Sequence, residues 1–123
     1  MSVSLTLDAV RERRKTVTRR HVDTWRTLAP GDSLTLIEKG MGLPKGAHQV
    51  VVAEVVVVDV RVEPLGAIRF ECEDGGTERE GLGHLSPGEF EQFWLDTHGH
   101  RNDPAATTLC RRIEWRYLDE QAL

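Results

Sequence analysis

A chain of 123 residues with two cysteines, five prolines, one tyrosine and two methionines is poor in staples, breakers and soft core fillers. Two cysteines, Cys72 and Cys110, cannot build a disulfide scaffold. Both stand in strand-like segments and are expected to be buried thiols. No long hydrophobic run is present. The longest, Val50 to Val58, is interrupted by Glu54 and followed by Asp59, far short of the roughly 20 residues that cross a bilayer. Met1 to Leu5 shows no basic region followed by an apolar block, so a soluble, cytoplasmic protein without a membrane partner is expected. No charge of one sign dominates: 16 Lys and Arg stand against 20 Asp and Glu, a net −4, which argues against coating nucleic acid by bulk charge. Repeats and low-complexity tracts are missing, which excludes a solenoid or an extended disordered tail. So are a glycine-rich phosphate loop, CxxC and HExxH. His84, His98, His100 and Cys110 are too scattered for zinc spacing. No metal and no cofactor are expected.

The chain holds material for one domain, residues 1–123, with 39% hydrophobic residues and three Trp. A short strand is expected over Val3–Leu7, then a helix over Ala9–Arg14 with Asp8 as N-cap and Val10 facing the core. Lys15–Arg20 turns β-like. Pro30-Gly31-Asp32 is a turn signal, followed by a strand over Ser33–Glu38. Residues 40–46 read as a loop, with Gly42 and Pro44. His48–Val62 is the strongest strand, with Glu54 and Asp59 marking a bend, bulge or polar interior. Another strand is expected over Ala67–Glu73, closed by Asp74-Gly75-Gly76. Ser86-Pro87 with Glu89 forms a capping box opening a helix that ends at Gly99, with Phe90, Phe93, Trp94 and His98 on one face. Thr107–Leu118 is the closing strand, its Ile113, Trp115 and Tyr117 alternating with Arg112, Glu114 and Arg116. Five or six short strands with two helices and no βαβ rhythm imply an α+β, barrel-like fold.

Charge is concentrated in one place. Residues 11–20 carry six basic side chains against Glu12, a local +5 that leaves −9 for the rest of the chain. A positive patch on an acidic body implies a focused anion site. Within it, Lys15 beside Arg13, Arg14, Arg19 and Arg20 has its ammonium disfavoured by like charge and becomes a candidate base. A threonine within its reach would be activated as a nucleophile. The arginines would alternatively hold phosphate or carboxylate through paired hydrogen bonds, and a solvated basic strand edge is the plain alternative. On a regular strand Lys15 and Thr18 point to opposite faces. Their cooperation therefore requires Lys15 at the helix–strand junction or a local bulge. Glu78-Arg79-Glu80-Gly81 is a second candidate, a loop carboxylate facing the basic cluster. Trp25, flanked by basic residues, and Trp115 with Tyr117 are the aromatics open to base stacking, with Trp115 also read as core or barrel wall.

Several of these elements stand in the order of a known family. Arg13-Arg14-Lys15-Thr16-Val17-Thr18-Arg19-Arg20, Leu28-Ala29-Pro30-Gly31-Asp32-Ser33-Leu34, the valine-rich strand, Glu80-Gly81, the helix from Phe90 to Trp94 and the closing strand Cys110–Leu118 resemble the ASCH domain family of the PUA-like superfamily. The resemblance covers nearly the whole chain, and its R-K-T-x-T-x-R element is the most specific part. It implies a PUA-like β-barrel of five to six mostly antiparallel strands with two or so helices. A cleft would lie beside the Lys15–Thr18 strand and take RNA, single-stranded nucleic acid or a modified nucleoside. Arg14, Thr16, Arg19, Arg20 and Trp25 are then the expected ligand contacts. A bacterial branch consists of amidohydrolases that deacetylate N4-acetylcytidine. By motif its catalytic residues fall on Lys15 as base, Thr18 as nucleophile and Glu80 as proton donor or orienting group. This chain departs from the family in carrying Arg13 where glycine is common, and in extra material at Gly40–His48 and Glu73–Thr77. Nucleic-acid binding, amidohydrolysis and, with His21 or His48 as base, RNA cleavage are the functions to be separated.

Overall fold

The valine-rich run becomes the longest strand of the fold. In the computed structural model, which describes residues 1–39, 46 and 48–119, the chain forms α1 (Leu7–Arg11), β1 (Val17–His21), β2 (Ser33–Ile37), β3 (Val51–Pro64), α2 (Pro87–Thr97) and β4 (Leu109–Tyr117). Short 3-10 turns cover Ser4–Thr6 and Leu65–Phe70. The loop expected over 40–46 lies, Gly46 apart, outside the described residues.

The strands form one antiparallel sheet in the order β1-β4-β3-β2, curled into a half-barrel. β3 bends at a bulge between Val57 and Asp59, where the acidic residue interrupts the valines and an extra residue sharpens the twist. This long strand therefore pairs with β2 through its first half and with β4 from Val55 to Pro64. No helix among the described residues is long and apolar enough to cross a membrane.

Period-two alternation along β4 divides the core between the two faces of the sheet. Ile113, Trp115 and Tyr117 join Val10 of α1 with Leu34, Leu36, Val55 and Val57. Cys110, on the other face, joins Leu65, Ile68, Phe90, Trp94 and Leu95 under α2. Each fully buried large side chain contributes about 1.5–3 kcal/mol. α2 begins as its sequence requires: Ser86 accepts from the Glu89 amide, Glu89 caps back, and Pro87 opens the first turn.

Five expectations need correction. Val3–Leu7 is not a strand: only Ser2 bridges Ile37, and the chain then coils through Ser4–Thr6 into α1. That helix starts at Leu7 after an N-cap Thr6 that makes no side-chain cap bond, and Asp8 lies in its first turn. Ala67–Glu73 is not a strand either. Leu65 and Ile68, three residues apart, both bury completely, a 3-10 spacing, whereas strand alternation would have grouped Ile68 with Phe70, which is 88% exposed. Four strands rather than five or six are therefore present among the described residues. Cys72 is exposed, and only Cys110 is a buried thiol.

Candidate functional site

The segment between α1 and β1 sets the site. Arg13 ends α1 with φ +62°, the left-handed region that glycine occupies without strain. The reversal is held by the amides of Arg14 and Lys15, both of which donate to the Ala9 carbonyl. The Arg13 guanidinium lies 4.9 Å over the Tyr117 ring and donates to the Val10 carbonyl. Lys15 thus falls at the helix–strand junction, ahead of the first regular residue of β1, and the opposite-face difficulty does not arise. Its own carbonyl is fixed by two aromatic donors of β4, Trp115 Nε1 at 3.1 Å and the Tyr117 hydroxyl. Trp115 and Tyr117 are therefore buried anchors of the lysine and not stacking surfaces.

Lys15, Thr18 and Glu80 converge. All three are buried, at 4%, 5% and 3% exposure, and all line one pocket of about 260 Å³ between the Ser2–Thr6 segment, β1 and α2. Lys15 Nζ donates to the Glu80 main-chain carbonyl at 2.5 Å and stands 3.9 Å from the Glu80 carboxylate. Burial pushes the Lys15 ammonium down to about 8. Glu80 opposes that shift, and Arg20 and Arg19 add to it. Like charge, the cause inferred from the sequence, is thus secondary to desolvation.

The loop that carries Glu80 can come this close because of its neighbour. Gly81 has φ +83°, and a Cβ there would stand 2.9 Å from the Ala9 Cβ and 3.3 Å from the Lys15 Cβ. The Glu80 carboxylate accepts from Arg19 NH1 at 2.9 Å. Arg19 also bonds Glu63 at 3.1 Å and Glu71 at 3.0 Å, with its side chain wholly buried. Arg112, paired across the sheet with Arg19, shares Glu71 and reaches Glu114 at 2.8 Å. Two buried like charges face each other, and carboxylates from four segments of the chain make the pairing tolerable.

The remaining basic residues part company. Arg14 is exposed, bonded to Glu12 at 2.7 Å and Glu78 at 3.4 Å. Thr16 accepts from Arg79 at 3.4 Å. Neither lines the pocket, and neither does Trp25, which stands 37% exposed with φ +55° in the turn after β1. Arg19 and Arg20 do line it. The patch of six cations is in large part neutralised by carboxylates and does not present a continuous positive face.

Sequence reasoning missed the outer wall. Phe93, 40% exposed, and His98 reach the pocket from α2, and Leu5, 73% exposed, flanks it from the other side. Phe93 is expected only on one helical face with Phe90, Trp94 and His98. The signal was the helical face itself, which continues past the core and over the cleft. His98 stacks on Trp94 at 4.0 Å, and burial lowers its pKa. His21 lies in a separate cleft beside His100, and His48 is exposed. Among the described residues no group of three or more His, Cys, Asp or Glu is arranged to hold a metal ion. Neither thiol is activated: burial pushes Cys110 up to about 12, and a hydrogen bond to Asp74 raises Cys72.

Comparison with known proteins bears on the fold alone. No family model and no curated protein matches this chain. Among solved structures it is similar to protein EF3133 from Enterococcus faecalis V583, a DUF984 protein, with a TM-score of 0.60 at 13% identity over 94% of this chain and 71% of the other. A likeness of that kind supports the barrel-like α+β architecture.

Proposed function

We propose that this chain is a PUA-like domain of the ASCH type that takes a nucleoside-sized ligand beside β1 and hydrolyses an amide on it, of the kind found in N4-acetylcytidine. The observation that carries the reading is the convergence of Lys15, Thr18 and Glu80 on one small, partly enclosed pocket. A pocket of about 260 Å³ is at or below the low end of the roughly 300–1,000 Å³ of ordinary ligand sites. It suits one base and its immediate substituents better than a length of strand.

The chemistry follows from the groups present. With its ammonium near 8, roughly a tenth of Lys15 is the free amine at pH 7. That amine takes the Thr18 hydroxyl proton as Oγ1 attacks the acyl carbonyl carbon. The tetrahedral adduct then collapses, the C–N bond breaks, and Lys15 returns the proton to the departing amino nitrogen. Water hydrolyses the resulting Thr18 ester, releasing the acid and restoring the hydroxyl. Glu80, gripped by Arg19, acts as an orienting carboxylate for Lys15.

Ligand binding without turnover, to RNA, a single strand or a modified nucleoside, is the second reading, favoured by Phe93 exposed at the pocket mouth, where a base can stack. Ribonuclease action has no comparable support, because His21 and His48 stand away from the pocket. The test is turnover of N4-acetylcytidine by Thr18→Ser and Thr18→Val. Serine retains measurable hydrolysis and valine, nearly the same shape, abolishes it. Wild-type turnover in Thr18→Val removes Thr18 as nucleophile. Binding with no turnover by the wild type moves the case to the second reading.

A further inference from the structure

Arg19 and Arg20 are neighbours with opposite circumstances. Arg19 is satisfied by three carboxylates. Arg20, which also lines the pocket, forms no ion pair among the described residues. One of its terminal nitrogens donates to the Ser2 carbonyl at 2.7 Å, and its Nε is buried with no hydrogen-bond partner. The pocket wall therefore holds Lys15, Arg19 and Arg20 against the single carboxylate of Glu80, which Arg19 already engages. A buried donor left open and a largely buried guanidinium that feels Glu80 but makes no ion pair with it are both costly. An anion seated against its accessible terminal nitrogen would supply the missing ion pair, and the planar fork of arginine matches phosphate oxygens well.

We infer that Arg20 forms an anion subsite and that the ligand of this pocket is a phosphate-bearing nucleotide rather than a neutral nucleoside. The inference rests on the reading of the pocket as a nucleoside-sized site. The Ser2 carbonyl takes one terminal nitrogen of the guanidinium, and the other, which makes no hydrogen bond among the described residues and is not sealed from solvent, is left for the ligand. Because β2 binds Ser2 through Ile37, the N-terminal segment positions Arg20 from the far edge of the sheet. The small volume favours a mononucleotide over an internal phosphodiester of a strand.

The experiment is calorimetric titration of the full chain with cytidine, cytidine 5′-monophosphate, inorganic phosphate and a short oligocytidylate lacking a terminal phosphate. The monophosphate is expected to bind about ten- to a hundredfold more tightly than cytidine, the contribution of a charge-assisted hydrogen bond, with inorganic phosphate competing. Arg20→Gln reduces that preference to within about threefold, and Arg20→Lys keeps part of it. Equal affinity for cytidine and its monophosphate overturns the inference. An oligocytidylate that binds as tightly as the monophosphate overturns it in favour of a strand phosphate. Cytidine binding without a phosphate preference leaves the nucleoside reading standing while removing the subsite, whereas no binding by any probe removes both. Should Arg20→Gln fail to fold, the wild-type comparison and the phosphate competition decide alone.

Discussion

Lys15 is held by the backbone of Glu80 more closely than by its side chain. Nζ donates to the main-chain carbonyl at 2.5 Å, while the nearest carboxylate oxygen stands 3.9 Å away. The two functions of Glu80 are thereby separable. Its carbonyl fixes where the amine sits, and its carboxylate, bound to Arg19, adjusts the charge that the amine experiences.

Glu80→Gln therefore leaves Lys15 in position but removes the negative charge that raises its pKa. The midpoint of kcat/KM against pH, expected at about 8 in the wild type from the lowered Lys15 pKa, should move to lower pH in the variant. The fraction of free amine increases as pH rises, so activity climbs through the midpoint in both proteins. A midpoint that moves upward would contradict the assignment of Lys15 as the base.

Gly81 is expected to be irreplaceable for steric reasons. Alanine there meets a left-handed backbone and a Cβ 2.9 Å from that of Ala9. Gly81→Ala should cost about 1–3 kcal/mol of stability, read from urea unfolding, and should lower turnover by displacing Glu80 from Lys15. Unchanged stability would show that the loop yields freely.

The buried arginine and the exposed one should behave differently. Arg19→Ala takes the closest cation from buried Glu80 and one of the partners of Glu63 and Glu71, and is expected to cost about 3–5 kcal/mol. Arg14→Ala, exposed and paired only at the surface, should fall within about 0.5 kcal/mol. Similar losses in the two variants would deny the buried ion cluster its structural role.

Lys15 also makes stability depend on pH. Its pKa is lowered in the folded protein to about 8 from the ordinary 10.5. Between these values the unfolded chain binds the extra proton, so the contribution to stability rises with pH across that window. Measured against Lys15→Met, the wild type should gain stability from pH 8 to 10.5 and hold a constant offset below 8. An offset that stays flat across the whole range would mean that the ammonium is not desolvated.

Local signals in the sequence were read well. The Ser86–Glu89 capping box, the Pro30-Gly31-Asp32 turn, the β3 irregularity near Asp59 and the Lys15 junction each depend on a few adjacent residues. The misread elements depend on distant ones. Arg19 is expected as a ligand contact, and its place in a buried ion cluster is hidden because its partners Glu63, Glu71 and Glu80 lie 44, 52 and 61 residues away. Leu65 and Ile68 took a 3-10 turn because the second core, built from α2 and Cys110, selected their three-residue spacing. Phe93 carries no site expectation because helical periodicity gives a face but not where the face runs off the body of the protein. The pairing of Lys15 with Glu80 is legible from charge only as a loop carboxylate facing the basic cluster, and the choice of Glu80 comes from the family resemblance, since no spacing rule links residues so far apart.

The most direct test of the account is incubation of N4-acetylcytidine with the purified full chain at pH 8, with Lys15→Ala alongside and cytidine and acetate followed by chromatography. Equimolar release of both products by the wild type and loss of nearly all turnover in the variant are expected, because removing a general base costs about 10²–10⁴-fold. Equal release by the two proteins, or none by the wild type, would contradict it.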